Sequence, residues 1–312
     1  MGENECGLGR GGKKKCLFDA ELKLIIEAFN QLLAGKGRNP IPSSTTNPLK
    51  QLIEHTQCDD EKCVVDTLLE VSKGTEFEPL LYRIRELAFK IDGPSELDAL
   101  LDNFILHRIA RQICYNMSNK PNKPICKFAG VLTYDFNIPP ATTQWASPNM
   151  IVQSCVSEKW NQMQFIFNTD HRMGGGIHWT ALTIDTSIHE INYFDSYGNL
   201  PLSGWIEGTK TRKYPDGLFP SLMLEWINTV IIEFTKISMD LQFTYNETCH
   251  QEDTDYSNCG PYCLLYLYWR ANGCCPTHIN AKPIHQDQIT SMRSKLYNPD
   301  TDYNFPMPRD IE

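Results

Sequence analysis

The reading of one stretch decides the fold: Gly174-Gly175-Gly176-Ile177-His178-Trp179-Thr180-Ala181-Leu182-Thr183-Ile184-Asp185, resumed as Ile191-Asn192-Tyr193-Phe194-Asp195. The glycine triplet reads as a turn, and Trp179, Ala181, Leu182 and Ile184 after it read as a strand. Ile191, Tyr193 and Phe194 form a second short strand, ended by Ser196-Tyr197-Gly198-Asn199. Only the few residues 186–190 separate the two, so an antiparallel hairpin is expected. Neighbouring strands lie roughly 5 Å apart, which lets two strand ends present His178 and Asp195 side by side. A carboxylate so placed accepts the imidazole N–H, fixes the tautomer and stabilises the imidazolium.

A third group stands downstream, in Asn258-Cys259-Gly260-Pro261-Tyr262-Cys263-Leu264-Leu265. The polar run 252–258 gives way to an apolar run through Trp269. That pattern is a loop entering a buried helix, with Asn258 or Ser257 as cap and Pro261 in the first turn. A helix N-terminus lowers a thiol's pKa and offers N–H groups to a developing oxyanion. Gly260 allows close approach of a substrate backbone. Gln251 upstream carries a carboxamide that can donate to the oxyanion, and Trp179 beside His178 is expected near the cleft. Each residue alone has an ordinary structural reading: a buried thiol, a strand histidine, a loop glutamine, a core tryptophan. Nucleophile, base and orienting acid together point to thiol catalysis, with Cys259, His178, Asp195 and Gln251 as catalytic candidates. Trp179 and Gly260 are the substrate-binding candidates, and Cys263 fits a buried structural thiol.

At His178-Trp179, Tyr193-Phe194-Asp195-Ser196, His250-Gln251 and Cys259-Gly260-Pro261-Tyr262 the chain resembles the adenovirus-endopeptidase and SUMO-deconjugating superfamily of cysteine proteases. Members run in the order His, Asp or Asn, Gln, Cys. Upstream, Cys58-Asp59-Asp60-Glu61-Lys62-Cys63-Val64, Phe89-Lys90-Ile91-Asp92-Gly93-Pro94 and Leu100-Leu101-Asp102-Asn103-Phe104 are similar to the polyprotein-processing proteases of African swine fever virus and other large DNA viruses. The resemblance implies cleavage of core polyproteins after Gly-Gly during virion maturation, at assembly sites in the host cytoplasm and in the virion. It implies no cofactor. Two features depart from the swine-fever type: Asp195 stands where that enzyme carries Asn, and the gap from Gln251 to Cys259 is longer than usual.

Composition is that of a soluble globular protein, with 312 residues, 41% hydrophobic, 21% charged and a net charge of −9. No apolar run is long enough to span a bilayer, and no signal-peptide pattern opens the chain. Residues 1–110 hold 14 basic and 18 acidic side chains and the remainder 15 and 20, so no basic domain emerges and no nucleic-acid partner is expected. Twelve cysteines in so long a chain are expected to be reduced thiols. Neither Cys58 with Cys63 nor the group Cys249, His250, Cys259 and Cys263 repeats the Cys-x-x-Cys spacing of a structural zinc site, so no metal is assigned.

The expected architecture is α+β, a mainly helical N-terminal domain followed by a mixed-sheet catalytic core of the adenovirus-endopeptidase type. Residues 1–15 read as a disordered tail, 16–118 as the helical domain and 126–312 as the catalytic domain, with a linker at 119–123. Helical spacing runs over 18–33, 59–72, 78–90 and 95–115. A strand near 164–168, a helix near 220–235, a strand near 241–245 and a helix near 287–297 complete the core, and the loop 201–217 is placed to line a substrate channel. A Gly-Gly polyprotein or peptide is the expected substrate. A deconjugase removing a ubiquitin-like modifier, an acetyltransferase and a non-catalytic binding protein are the rival readings. Oligomeric state is left open.

Overall fold

The structure is a computed structural model, and it describes residues 6–7, 10, 15–33, 36–91, 93–94, 96, 98–139, 143–201, 218–252, 254–297 and 307–308. The loop expected at 201–217 lies, from 202 onward, outside the described residues. The chain divides into two compact units, Met1–Asp92 with Lys295–Tyr303, and Gly93–Ser294 with Asn304–Glu312.

The first unit holds the helices α1 (Asp19–Leu32), α2 (Pro48–Thr56), α3 (Glu61–Val71) and α4 (Glu78–Ala88). Their apolar stripes meet in a core of Ile25, Phe29, Leu52, Val64, Leu68, Leu81 and Phe89. Helix α2 was not anticipated. It starts where Asn47 accepts from Lys50 N and Pro48 takes the first helical position. The expectation of a disordered tail fails at its described residues. Cys6 is buried and bridges Phe89, while buried Arg10 forms a two-pronged ion pair with Glu21 at 2.6 and 2.7 Å. The ion pair ties Arg10 to the first turn of α1.

The second unit is built on a five-stranded sheet in the order β1 (Cys126–Thr133), β2 (Gln162–Asn168), β3 (Trp179–Asp185), β4 (Glu190–Phe194) and β5 (Gln242–Tyr245). The outer pairs, β1–β2 and β4–β5, are parallel, and the inner pairs are antiparallel. The expected hairpin is β3–β4, with Ala181 opposite Phe194. One face of the sheet carries Met163, Phe165, Phe167, Leu182, Ile184, Ile191 and Tyr193. It packs on α6 (Pro148–Glu158) and α7 (Leu218–Thr235) through Ile151, Trp226, Ile227, Val230 and Phe234. At about 25 cal/mol per Å2 of apolar surface, such a layer supplies most of the stabilisation.

The opposite face mixes apolar residues, Ile166, Ala181 and Phe194, with a polar set. It bears Gln162, Gln164, Thr183, Asp185 and Asn192 beneath α8 (Cys259–Ala271), a helix buried along its whole length. Gln164 Nε2 donates to Leu267 O at 3.0 Å, Gln162 Nε2 to Arg270 O at 2.9 Å, and Tyr266 Oη to Asn192 Oδ1 at 2.8 Å. Arg270 pairs with Asp185 at 3.1 Å. Gln162, Gln164, Asp185 and Asn192 thereby find partners across the interface.

Helix α5 (Asn103–Ser118) packs on β1 and α8, so it belongs with the sheet rather than with the helices before it. The boundary between units therefore falls at Asp92 and Gly93 rather than near residue 120, and residues 119–123 form a turn inside the second unit. The helix also starts later than the expected residue 95, because the Asp102 carboxylate accepts from Ile105 N and caps it. Short helices α9 (Pro276–Ile279) and α10 (Gln286–Tyr297) follow α8.

The expectation of reduced thiols is corrected for three pairs. The sulfurs of Cys6 and Cys16, Cys58 and Cys63, and Cys114 and Cys126 are bonded, with Cα atoms 4.9, 5.5 and 4.9 Å apart. These Cα separations lie within bridging range. Cys259 and Cys263 are not disulfide-bonded.

Candidate active site

His178 sits at the threshold of β3, at the end of a loop organised by two side chains at the exit of β2. The Asn168 carboxamide oxygen accepts from Asp170 N at 2.8 Å and Ile177 N at 3.3 Å. The Asp170 carboxylate accepts from His171 N at 2.8 Å and Gly176 N at 3.1 Å. Thr169 N donates to His178 O at 2.9 Å. Gly174 is required here, because a Cβ at that position would lie 1.9 Å from Asp170 Oδ2. The glycine turn is thus a hydrogen-bonded platform that delivers the histidine.

Asp195 follows β4 directly. Its Oδ1 lies 2.8 Å from His178 Nε2, and both side chains are shut from solvent. Tyr197 N also donates to Oδ1, at 2.9 Å. Burial pushes the Asp195 carboxyl up to about 7, against the opposing pull of Tyr197 N–H and the Asn199 carboxamide. A carboxylate so placed can hold the imidazole N–H and, once it forms, the imidazolium. Among the described residues His178 Nδ1 has no hydrogen-bond partner, which leaves it as the nitrogen for a thiol. The Tyr197 ring tilts over the imidazole with centroids 5.1 Å apart.

Cys259 is the first residue of α8. No side chain caps this helix: Asn258 turns its amide to Asp255 instead of accepting a first-turn N–H. Pro261 lacks an N–H and Tyr262 N is bonded to Asn258 O, so the first-turn donors are the N–H groups of Cys259 and Gly260. One turn on, buried Cys263 is pushed well up, first by burial and then by the nearby charges of Cys259 and Asp195. It is a structural thiol, in electrostatic reach of both.

Cys259 opens into a cleft of about 330 Å3 walled by Leu100, Leu101, Asn168, the glycine triplet, Ile177 and Trp179. Trp179 Nε1 donates to Leu101 O at 3.2 Å, tying two walls together. At Gly260 a Cβ would meet Leu106 Cδ2 at 3.2 Å and Leu101 Cβ at 3.3 Å, so the missing side chain lets the start of α8 pack closely. Gln251 is buried, with Oε1 accepting from Ser196 Oγ at 2.6 Å and Nε2 donating to Asp255 O at 2.5 Å. One of its two amide hydrogens is committed there, and one remains for an oxyanion. His250 beside it is held down to about 4 by burial and is a neutral packing residue stacked on Phe194.

The sequence reading missed Asn246, Asn168, Asp170 and Asp255. Asn246, just past β5, accepts from Asp195 N at 2.8 Å and donates to Asp195 O at 2.7 Å. In sequence Asn168 reads as the end of a strand and the other three as loop residues; Asn246 is revealed by pairing across the fold, Asn168, Asp170 and Asp255 by turns that close on their side chains. Leu100 and Leu101 were read as helix and are cleft wall.

Comparison with known proteins agrees with this architecture. The chain is 23% identical over 248 residues to a SUMO-1 cysteine protease from a Kenyan isolate of African swine fever virus, covering 77% of this chain and 83% of that one. A cysteine protease from a Malawian isolate is 24% identical over 246 residues, with the same coverage. The crystal structure of the African swine fever virus protease superposes with a TM-score of 0.56 at 21% identity, over 94% of this chain and 95% of that one, and so shares the fold. The model of the Ulp1 protease family, C-terminal catalytic domain, matches residues 139–304, more than half of the chain. The chain belongs to the Ulp1 protease family and is a cysteine protease.

Proposed function

We propose that this protease is a viral endopeptidase that cleaves structural polyproteins at Gly-Gly-Xaa sites during virion maturation, in the host cytoplasm at assembly sites and in the virion. The observation that carries the reading is the tie between Trp179 and Leu101 beside Cys259. Walls joined by a hydrogen bond leave little width for side chains, which suits glycine on the acyl side of the scissile bond. The viral relatives support the polyprotein role.

In this mechanism Cys259 gives its proton to His178 Nδ1, and Asp195 holds the resulting imidazolium through Nε2. The thiolate attacks the carbonyl carbon, and the oxyanion takes hydrogen bonds from the Cys259 N–H and the second amide hydrogen of Gln251. His178 then protonates the departing amine, and water activated by the same ring releases the acyl group.

The name of the Kenyan relative favours a second reading, removal of a SUMO-like modifier. One experiment separates the two. Purified enzyme and its Cys259→Ser variant are given a panel of Gly-Gly-Xaa peptides and a SUMO-like conjugate. The proposal expects peptide cleavage that vanishes in the variant. Cleavage of the conjugate with none of the peptides would replace it with the deconjugase reading.

A further inference from the structure

The segment from Gln251 to Cys259 is longer than family spacing, and it is folded around one residue. Asp255 is 1% exposed, yet its carboxylate lies in no ion pair among the described residues. That carboxylate accepts instead from Ser257 N and Asn258 N, both at 3.2 Å, and from Asn258 Nδ2 at 3.1 and 3.0 Å. These are the two residues immediately before Cys259. The backbone oxygen of Asp255 points the other way, accepting from Gln251 Nε2 at 2.5 Å and from Tyr197 Oη at 3.2 Å. Tyr197 is the residue whose ring covers His178 and whose N–H holds Asp195.

One residue therefore touches both halves of the oxyanion apparatus. Its side chain shapes the entry to α8, and its carbonyl orients the Gln251 carboxamide. A buried carboxylate without a cation is costly unless several donors satisfy it, so this arrangement is a committed one. We infer that Asp255 is a positioning residue for catalysis, registering the Gln251 carboxamide against the N-terminus of the nucleophile helix. The inference rests on the reading of Gln251 as oxyanion donor.

A residue that acts through another shows non-additive losses, whereas independent structural damage multiplies. The test is a double-mutant cycle of Asp255→Ala and Gln251→Ala, read as kcat and KM on a cleaved peptide, with the rate of Cys259 alkylation by iodoacetamide measured alongside. Alkylation develops no oxyanion, so it reports thiolate formation and folding alone.

Each single variant is expected to lose roughly 100-fold in kcat, with KM and alkylation rate near wild type. The double variant should be no slower than the weaker single by more than about threefold, given the usual precision of additivity. Asp255→Asn, which keeps a side-chain acceptor, should recover about a tenth of wild-type kcat or more. Multiplying losses, or normal kcat in Asp255→Ala while Gln251→Ala is slow, overturns the coupling and leaves the Gln251 role standing. Normal kcat in Gln251→Ala removes the oxyanion role and the coupling with it. A loss in Asp255→Ala matched by an equal fall in alkylation rate overturns the inference as well, since the residue would then serve the thiol or the fold.

Discussion

His178 Nε2 and Asp195 Oδ1 stand 2.8 Å apart with no solvent reaching either side chain. Pairing through Nε2 turns Nδ1 toward the thiol chemistry and makes the acid's protonation state a property of the buried pair. Four predictions follow from this site and the fold that holds it.

Burial raises the Asp195 carboxyl from its ordinary 3.8 to about 7. The folded protein then keeps a proton that the unfolded chain releases, so this group's contribution to stability falls as pH rises from about 4 to about 7. Asn in its place keeps an acceptor oxygen and has no charge to bury. The melting temperature of Asp195→Asn should gain on wild type across that window, while kcat stays within about tenfold; Asp195→Ala should lose 100-fold or more, on the order seen for triad acids. A constant difference in melting temperature between wild type and the Asn variant would contradict the assignment.

The glycine triplet offers a matched pair. Gly174→Ala drives a Cβ into Asp170, whereas Gly175→Ala meets nothing within 4 Å. The first should cost about 1–3 kcal/mol as overpacking and raise KM by loosening the cleft wall. The second should be silent in both. Steady-state kinetics and urea melts on the two variants decide it, and equal effects would mean that the platform is not rigid.

Trp179→Phe keeps an aromatic wall but removes the Nε1 bond to Leu101 O. One hydrogen bond of about 1 kcal/mol corresponds to a roughly fivefold relaxation. Preference for Gly over Ala at the acyl position should drop by that factor, as read from kcat/KM on paired peptides. Unchanged preference would assign the selectivity to another part of the cleft.

Asp185 accepts from Arg270 Nη2 at 3.1 Å and from Gln162 Nε2 at 2.7 Å, all three buried. Asp185→Ala strands the guanidinium, with Glu190 at 3.9 Å as its remaining acid. Breaking such a pair by removing one partner costs about 3–5 kcal/mol. Chemical denaturation should show a loss of that size; less than about 1 kcal/mol would mean that Glu190 compensates.

The sequence made the centre of this molecule legible and its margins obscure. The β3–β4 hairpin and α8 carry strong local signals: alternation after a glycine turn, and an apolar run entered through a polar loop. Strand β1 carries a weak one, because it is half-buried and broken at Gly130, where φ is 143° and the pairing register shifts. Helix α6 was passed over because its apolar residues, among them Ile151, Val152 and Cys155, are interrupted by Asn149, Gln153 and Ser154. Asn246 could not be distinguished from a surface loop residue, since its Asp195 partner comes from another part of the chain, and Asp255 could not because its burial is set by the fold around it.

The polar set on the underside of the sheet has one more consequence. An apolar interface is slippery, because methyl groups trade neighbours at little cost and a helix resting on them can creep along its axis. Directional bonds from Gln162, Gln164 and Asn192 to α8 admit only one register. The helix is keyed to the sheet like a shaft to a gear, and Cys259 at its tip inherits that fixity. Substitutions deep under α8, at residues no substrate meets, would then be felt as misalignment of the nucleophile.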